Sequence, residues 1–232
     1  TTIVTNEGKL VAHTEDWDAN AQDAICVLKK SINDLTIFEL FYYNTLGGNS
    51  ISINSHGFVH AINSLSHTGA QVGIPHNCIA RYMSETSNPD QDFARLSAMR
   101  RASGYNHNIV SVDGEVWNIE STAIKQKMTK PNAPFAHTNH YLSELQEFEN
   151  NDNATYTFER YEQAKHNVQN TLSIAEAQAL LSDESQGKQK SIFNERTIAR
   201  TIFDLEKMQA YIWLRREPEK GWVEYDLSSV LY

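Results

Sequence analysis

The first seventeen residues of the chain, TTIVTNEGKLVAHTEDW, decide the fold class. Residues 1–5 and 9–13 are β-rich runs, and Asn6-Glu7-Gly8 between them is a turn signal, so we expect a β-hairpin. The chain starts directly on this strand, without an initiator Met or a signal segment. We therefore expect that an upstream propeptide is removed during maturation, because natural termini are usually polar and frayed.

The rest of the chain continues as blocks of strands and helices. Asp113-Gly114 is a strong hairpin signal, and Ser173 with Glu176 has the spacing of a capping box. Further strands are predicted at residues 23–30, 36–44, 50–54, 58–63, 107–113, 115–120, 134–138, 197–204, 208–214 and 222–226. Helices are predicted at residues 77–85, 89–101, 158–171 and 174–182. This order indicates an α+β fold, and a sandwich of two antiparallel sheets covered by helices fits it.

Composition bounds the class of protein. The 232 residues suit one domain, residues 1–232, and the net charge of -9 argues against nucleic acid or an anionic membrane as a partner. No stretch is long and apolar enough for a membrane span. A cytoplasmic location is favoured.

Cysteine and histidine spacing gives no sign of a cofactor. Cys26 and Cys78 are far apart and outside any CxxC motif, so we expect two buried free thiols. His137 and His140 have ligand-like spacing, but a zinc site needs three or four converging ligands. We therefore predict neither metal nor cofactor.

The N-terminal residue carries chemistry of its own. An N-terminal Thr holds a nucleophilic hydroxyl and a base on one residue, since its α-amine titrates near physiological pH. Such a residue can attack an amide without a histidine. By itself this signal is weak, because any shortened chain can begin with Thr.

Several later motifs strengthen the signal. The opening hairpin ends in Asp16-Trp17, residues 57–63 read GFVHAIN, residues 137–141 read HTNHY, and residues 211–216 read YIWLRR. Together they resemble the mature chain of the cholylglycine hydrolase-like superfamily of N-terminal-nucleophile (Ntn) hydrolases. Within it, the chain is most similar to the isopenicillin N acyltransferase branch. The resemblance spans nearly the whole chain and implies a four-layer αββα Ntn-hydrolase sandwich.

The resemblance also implies roles for individual residues. Asp16 would orient the N-terminal amine, and Asn139 would donate its side-chain amide to the oxyanion. Asn63 would donate its backbone N–H, its side chain or both. Thr1, the residue that the chain itself presents, would be the nucleophile. Arg215 would be the functional Arg of a late strand. Asp18 is the alternative to Asp16.

Two departures from the family pattern leave alternatives open. The family's nucleophile is a Cys that falls immediately before Thr1, so either Thr1 or a Cys preceding it attacks. His13 stands where bile-salt hydrolases place an Arg.

The expected activity is acyl transfer from an amide. An Ntn amidohydrolase or acyltransferase, matured by autocatalytic cleavage, would act on a small N-acyl substrate through an acyl-enzyme. The expected partners are this substrate, its own cleaved propeptide as a second chain, and further copies in a homo-oligomer. A peptidase subunit of an assembly and an inactivated Ntn-like domain remain as alternatives.

Overall fold

The computed structural model describes residues 1–150 and 156–232. In chain order, the strands of this part are β1 Thr2–Thr5, β2 Leu10–Asp16, β3 Ile25–Ile32, β4 Leu35–Tyr42, β5 Ile51–Asn54, β6 Phe58–Ser64, β7 Tyr105–Ser111, β8 Val116–Ser121, β9 Gln126–Thr129, β10 Phe135–His137, β11 Thr197–Asp204, β12 Gln209–Leu214 and β13 Val223–Asp226. The α-helices are α1 His76–Ser84, α2 Pro89–Ala98, α3 Thr157–Asn167, α4 Ile174–Leu180 and α5 Leu227–Leu231.

The strands form two antiparallel sheets. The first sheet has the order β10-β1-β2-β11-β12-β13, and the second runs β3-β4-β5-β6-β7-β8-β9. Neighbouring strands of the second sheet follow one another along the chain, as expected for a meander. In the first sheet, β11 pairs with β2 although the two are far apart in sequence.

Three apolar clusters stack the molecule into four layers. A central cluster lies between the sheets and includes Val4 and Val11 from the first sheet and Val59 from the second. On the outer face of the first sheet, Ile3 packs with residues of α3 and α4, while a third cluster joins α1 and α2 to the second sheet. The αββα sandwich predicted from the sequence is therefore confirmed.

The space between the sheets changes from apolar to polar along the strands. In β6 the inward-facing Ala61 is followed two residues later by Asn63, and in β7 the inward-facing Val110 is preceded by Asn108 and Asn106. These asparagines are buried. Because side chains alternate along a strand, all three lie on the face that meets the first sheet. One end of the sandwich interior is thus built to hold polar groups.

Local sequence signals account for most of the elements. Ser173 and Glu176 form the predicted capping box, and Asn88 accepts from the backbone of Gln91 at the start of α2. The prediction missed β9 and α5. It was also wrong about the two thiols, which are free but not buried: Cys26 is half-buried and Cys78 is exposed. No described helix is long and apolar enough to cross a membrane.

Candidate active site

Thr1 directly precedes β1, an interior strand of the first sheet, and is 3% exposed. It forms a ladder pair with Thr14: the Thr14 N–H donates to the Thr1 carbonyl at 2.8 Å, and the Thr1 amine donates to the Thr14 carbonyl at 3.1 Å. The amine also donates to Thr14 Oγ1 at 3.1 Å and lies 4.0 Å from Asp16 Oδ2. Pairing with β2 therefore sets the position of the amine.

The surroundings make this amine a weaker base than usual. Burial, assisted by the Arg160 guanidinium and opposed by Asp16, lowers the pKa of the Thr1 amine from 8.0 to about 6. At neutral pH the amine is then mostly uncharged. Its two hydrogens point at the Thr14 carbonyl and hydroxyl, which leaves the lone pair able to accept a proton.

Asp16 is held by hydroxyl groups on both sides. Thr197 Oγ1 donates to its Oδ1 at 2.6 Å, and Thr14 Oγ1 donates to its Oδ2 at 3.2 Å. Burial raises the pKa of this carboxyl, but the nearby Thr1 ammonium and Arg160 guanidinium outweigh burial and hold it below the ordinary value. Asp16 is therefore a fixed carboxylate beside the amine.

Arg160 lies at the centre of the site and was not predicted from the sequence. Its Nη1 donates to Thr1 Oγ1 at 2.9 Å and lies 3.6 Å from Asp16 Oδ2, and its Nη2 donates to Asn139 Oδ1 at 2.7 Å. The residue is 3% exposed, and burial lowers the pKa of its guanidinium. One sequence signal could have revealed it: Arg160 shares the buried face of α3 with Gln163 and Ala164, where an unpaired cation is costly.

Asn139 follows β10 and is linked to Thr1 through Arg160. Its Nδ2 donates to the Ser64 carbonyl at 3.0 Å, and its backbone N–H donates to Thr157 Oγ1 at 2.7 Å. With Arg160 on its oxygen, the amide is fixed in orientation. The backbone and the side chain of Asn139 are thus both bonded to neighbouring elements.

A buried acid-imidazole pair anchors the same loop. His137 Nε2 lies 2.9 Å from Glu120 Oε1, and the Glu120 carboxylate also accepts the backbone N–H groups of Leu142 and Ser143. Burial raises the pKa of Glu120, but His137 and these N–H groups lower it by a larger amount. The pKa of Glu120 therefore lies below its ordinary value. The pair holds the segment before and after Asn139 against the second sheet.

Asn63, on the second sheet, contacts Thr2 of the first sheet. Its Oδ1 accepts from Thr2 Oγ1 at 2.9 Å and from Asn108 Nδ2 at 3.0 Å. Within residues 1–150 and 156–232, its Nδ2 has no acceptor. Because Asn63 lines the cleft beside Thr1, this nitrogen is a donor available to a bound molecule.

His13 does not supply a cation to the cleft. Its Nδ1 lies 2.9 Å from Thr2 Oγ1, its Nε2 lies 3.2 Å from Glu15 Oε2, and the ring is buried. Burial is the main cause of its lowered pKa. At the position where bile-salt hydrolases place an Arg, this chain therefore has a neutral, internally bonded ring.

The structure does not bring Arg215 to Thr1, contrary to the expectation from the sequence. Its guanidinium donates to the backbone carbonyls of Thr197 and Asn194. Arg215 directly follows β12, whose end pairs with the beginning of β11, and this pairing places Arg215 beside these carbonyls. Arg160 lies beside the Thr1 hydroxyl instead. Asp18, the alternative to Asp16, caps a short 3₁₀ segment by accepting from the Asn20 N–H at 2.9 Å.

Two adjoining clefts meet at the site and share the residues Asp16, Trp17, Ser64 and Asn139. The arginine cleft, of about 460 Å³, is lined by Arg160 and Arg196 among mostly polar residues. The aromatic cleft, of about 430 Å³, is lined by Thr1, Asn63 and a group of rings, namely those of Tyr42, Tyr43, His76 and Tyr105. Thr1 and Asn139 thus lie where the two clefts meet, so a molecule with one half in each cleft would place the bond between its halves beside these residues.

No cluster of three or more potential metal ligands occurs among the described residues. His137 and His140, whose spacing in the sequence resembles that of a ligand pair, are bonded instead to Glu120 and to Thr138 and Thr157.

Comparison with known proteins gives one family match and related folds. The model of the family described as acyl-coenzyme A:6-aminopenicillanic acid acyl-transferase matches residues 4–218. A penicillin V acylase from Agrobacterium tumefaciens is similar in structure, with 12% identity, a TM-score of 0.63, and coverage of 98% of this chain and 85% of that one. A mutant of a conjugated bile acid hydrolase from Clostridium perfringens gives 13% identity, a TM-score of 0.58, and coverage of 98% and 92%. No curated protein sequence matches the chain.

Proposed function

Because the chain belongs to the acyl-coenzyme A:6-aminopenicillanic acid acyl-transferase family, we propose that it transfers the acyl group of a small N-acyl amide through an acyl-enzyme formed at the Thr1 edge of β1. The family assignment confirms the resemblance seen in the sequence and the class of enzyme expected from it. One observation supports placing the reaction here. Thr1 is buried, and its amine and hydroxyl lie beside Asp16 and beside Arg160, which in turn bonds Asn139.

Attack on the amide begins with proton transfer to the α-amine. The uncharged amine takes the hydroxyl proton of Thr1 as its oxygen bonds to the substrate carbonyl carbon. Arg160, 2.9 Å from that oxygen, favours its negative charge. Asp16 then stabilises the ammonium form, which returns the proton to the leaving amine.

The oxyanion of the tetrahedral intermediate needs preorganised donors. Asn63 and Asn139 both line the aromatic cleft beside Thr1, and Asn139 Nδ2 donates to the carbonyl of Ser64, which follows Asn63 in the chain. We assign both side-chain amides to the oxyanion. For Asn139 the resemblance implies this role, and for Asn63, where the resemblance leaves backbone and side chain open, the nitrogen without an acceptor among the described residues favours the side chain. One such donor typically contributes about 3 kcal/mol to lowering the barrier.

The two clefts suggest how the substrate lies. The rings of the aromatic cleft suit an apolar acyl group, because they present apolar surface with few charges. The arginine cleft suits an amine half that carries an anionic group, because Arg160 lines it and Arg196 lies at its exposed side. Water or a second amine would enter on the same side to resolve the acyl-enzyme.

A second version of the mechanism places the nucleophile one residue earlier. Thr1 and Thr14 exchange both backbone bonds of a ladder pair, and the Thr1 side chain points toward α3 and Arg160. If the complete gene encodes a residue before Thr1, strand alternation puts its side chain on the face of Thr2, toward Asn63. A Cys there would attack with its own amine as base, and Arg160 would position the following Thr1.

Intact mass and N-terminal sequencing of protein expressed from the complete gene distinguish these versions. We expect a chain released by self-cleavage directly before its nucleophile. Thr1→Ala blocks maturation and turnover in the first version. In the second, an Ala at the preceding Cys does so, while Thr1→Ala does not block maturation. A protein that keeps its upstream segment and remains fully active would contradict both.

A further inference from the structure

A row of buried side-chain amides runs through the second sheet to Asn63. It consists of Asn106 and Asn108 on β7 and Asn63 on β6, each 3% exposed or less. Burying three amides in one row is unfavourable unless each is hydrogen-bonded, so the direction of every bond matters.

The direction of the first bond is fixed by the backbone. The Asn106 amide lies 3.3 Å from the Ile119 carbonyl, which can only accept, so the nearby atom is Nδ2. The Asn106 oxygen then points the other way, toward Asn108. It accepts from Asn108 Nδ2 at 2.6 Å.

The same nitrogen of Asn108 also determines the orientation of the Asn63 amide. Its two hydrogens go to Asn106 Oδ1 and, at 3.0 Å, to the Asn63 amide. Two nitrogens cannot face each other there without losing a bond, so the atom of Asn63 that meets Asn108 is the oxygen. The nitrogen of Asn63 must then face the cleft.

The first sheet adds a second contact to the same oxygen. Thr2 Oγ1 lies 2.9 Å from Asn63 Oδ1 and 2.9 Å from His13 Nδ1. A hydroxyl has one hydrogen, so it can donate to only one of them at a time. Asn108, whose amide direction is set independently of His13, is therefore the main determinant.

We propose that Asn108, oriented by Asn106, is a positioning residue that makes Asn63 present its N–H groups rather than its oxygen to the oxyanion. Thr2 supports the same orientation from the first sheet. This inference rests on the proposed function, since an amide oxygen facing the cleft would repel the charge that the reaction develops.

Asn108→Asp is the sharpest test, because it keeps the size of the side chain and removes the donor. A carboxylate at this position accepts from Asn63 Nδ2 and turns the Asn63 oxygen toward the cleft. We expect kcat to fall at least ~10-fold with KM within about twofold, which is the signature of an interaction made in the transition state. Asn108→Ala, which permits both orientations, should cost only about two- to fivefold in kcat.

Asn118→Asp is the matched control. Asn118 is also a buried amide of the second sheet, and its oxygen accepts from Asn106 Nδ2, a contact that a carboxylate preserves. We expect kcat and KM within about twofold of the parent, because the bond that orients the row is kept.

The double variant separates positioning from packing. If Asn108 acts through Asn63, Asn108→Asp should not reduce kcat further in an Asn63→Ala background, because coupled residues are non-additive. Multiplicative losses would overturn the proposal. Should Asn108→Asp not fold, Asn108→Ala in the same Asn63→Ala background gives the same comparison, because it also removes the donor that orients Asn63.

Neutron diffraction from a deuterium-exchanged crystal reads the orientation without any turnover. Deuterium on the cleft side of the Asn63 amide supports the proposal, and an oxygen there overturns it. A parent protein that forms no acyl-enzyme but shows this deuterium would count against the proposed function alone.

Discussion

Arg160 Nη1 lies 2.9 Å from Thr1 Oγ1, although 159 positions separate the two residues in the chain. The same guanidinium reaches Asn139 Oδ1 at 2.7 Å. A buried cation thus connects the proposed nucleophile with a proposed oxyanion donor, and it does so from a helix packed on the outer face of the sheet.

Arg160→Met should lower kcat by ~10²-fold or more, because it removes the cation beside Thr1 Oγ1 and frees the Asn139 amide. Lys165→Met, an exposed position on the same helix, is the control and should leave kcat within about twofold. Steady-state kinetics of both purified variants test this. Equal activity of Arg160→Met and the parent would remove Arg160 from the mechanism.

The pH dependence of kcat/KM should reflect the lowered pKa of the Thr1 amine. The amine acts as base only when uncharged, so the rate falls as pH drops through about 6 rather than 8.0. Asp16 favours the charged form, so Asp16→Asn should move the acid limb to lower pH while reducing kcat. A limb near pH 8 in the parent would contradict the lowered pKa of this amine, and a limb that Asp16→Asn does not move would show that the amine is not the base.

Asn139→Ala should reduce kcat by ~10²- to 10³-fold with little change in KM, the usual effect of losing one oxyanion donor. Asn167→Ala, at the exposed end of α3, serves as control. Single-turnover measurements with an activated ester separate acylation from deacylation. A change confined to KM would assign Asn139 to substrate binding instead.

Arg215→Met should affect stability more than catalysis. The change leaves the carbonyls of Thr197 and Asn194 without their donor, at a cost of about 1–3 kcal/mol in the free energy of unfolding. Because Thr197 holds Asp16, a modest loss of kcat is also expected, well below that of Arg160→Met. Urea unfolding and kinetics, with exposed Arg100→Met as control, test this order. The reverse order would restore Arg215 as the functional arginine.

Glu120→Gln should lower the free energy of unfolding by about 3–5 kcal/mol at pH 7, because it leaves buried His137 without its carboxylate. The pKa of Glu120 is lowered in the folded protein from the ordinary 4.5. Its contribution is therefore fully present above pH 4.5 and is lost as pH falls through the folded value. The variant should show a flatter acid limb of stability than the parent, and Glu144→Gln, which is exposed, should behave like the parent.

Local patterns were sufficient to predict most elements of the fold. The hairpin of residues 1–13, the capping box at Ser173 and the late meander follow from short-range signals. Gln126–Thr129 was missed because QKMT carries little β-propensity and pairs only as an edge of the second sheet. Leu227–Leu231 is one short turn that lacks a clear amphipathic period.

The site was predictable where it follows the chain and not where it depends on distant pairing. Asp16 lies near Thr1 because both belong to one hairpin. The approach of Arg160 depends on how α3 packs on the first sheet, which no short-range pattern encodes. Arg215 was expected to be a functional residue because its strand resembles one of the family, yet its side chain donates to a backbone carbonyl at the start of β11.

Trapping the acyl-enzyme tests the central claim most directly. The protein is incubated with an activated aryl ester of an apolar acid, quenched in acid and digested with trypsin, and the added mass is located by fragmentation. We predict one acyl group on the N-terminal peptide that ends at Lys9, on its first residue, and its absence when that residue is changed to Ala. An acyl group on any other peptide, or no adduct while the amide substrate is turned over, would contradict the account.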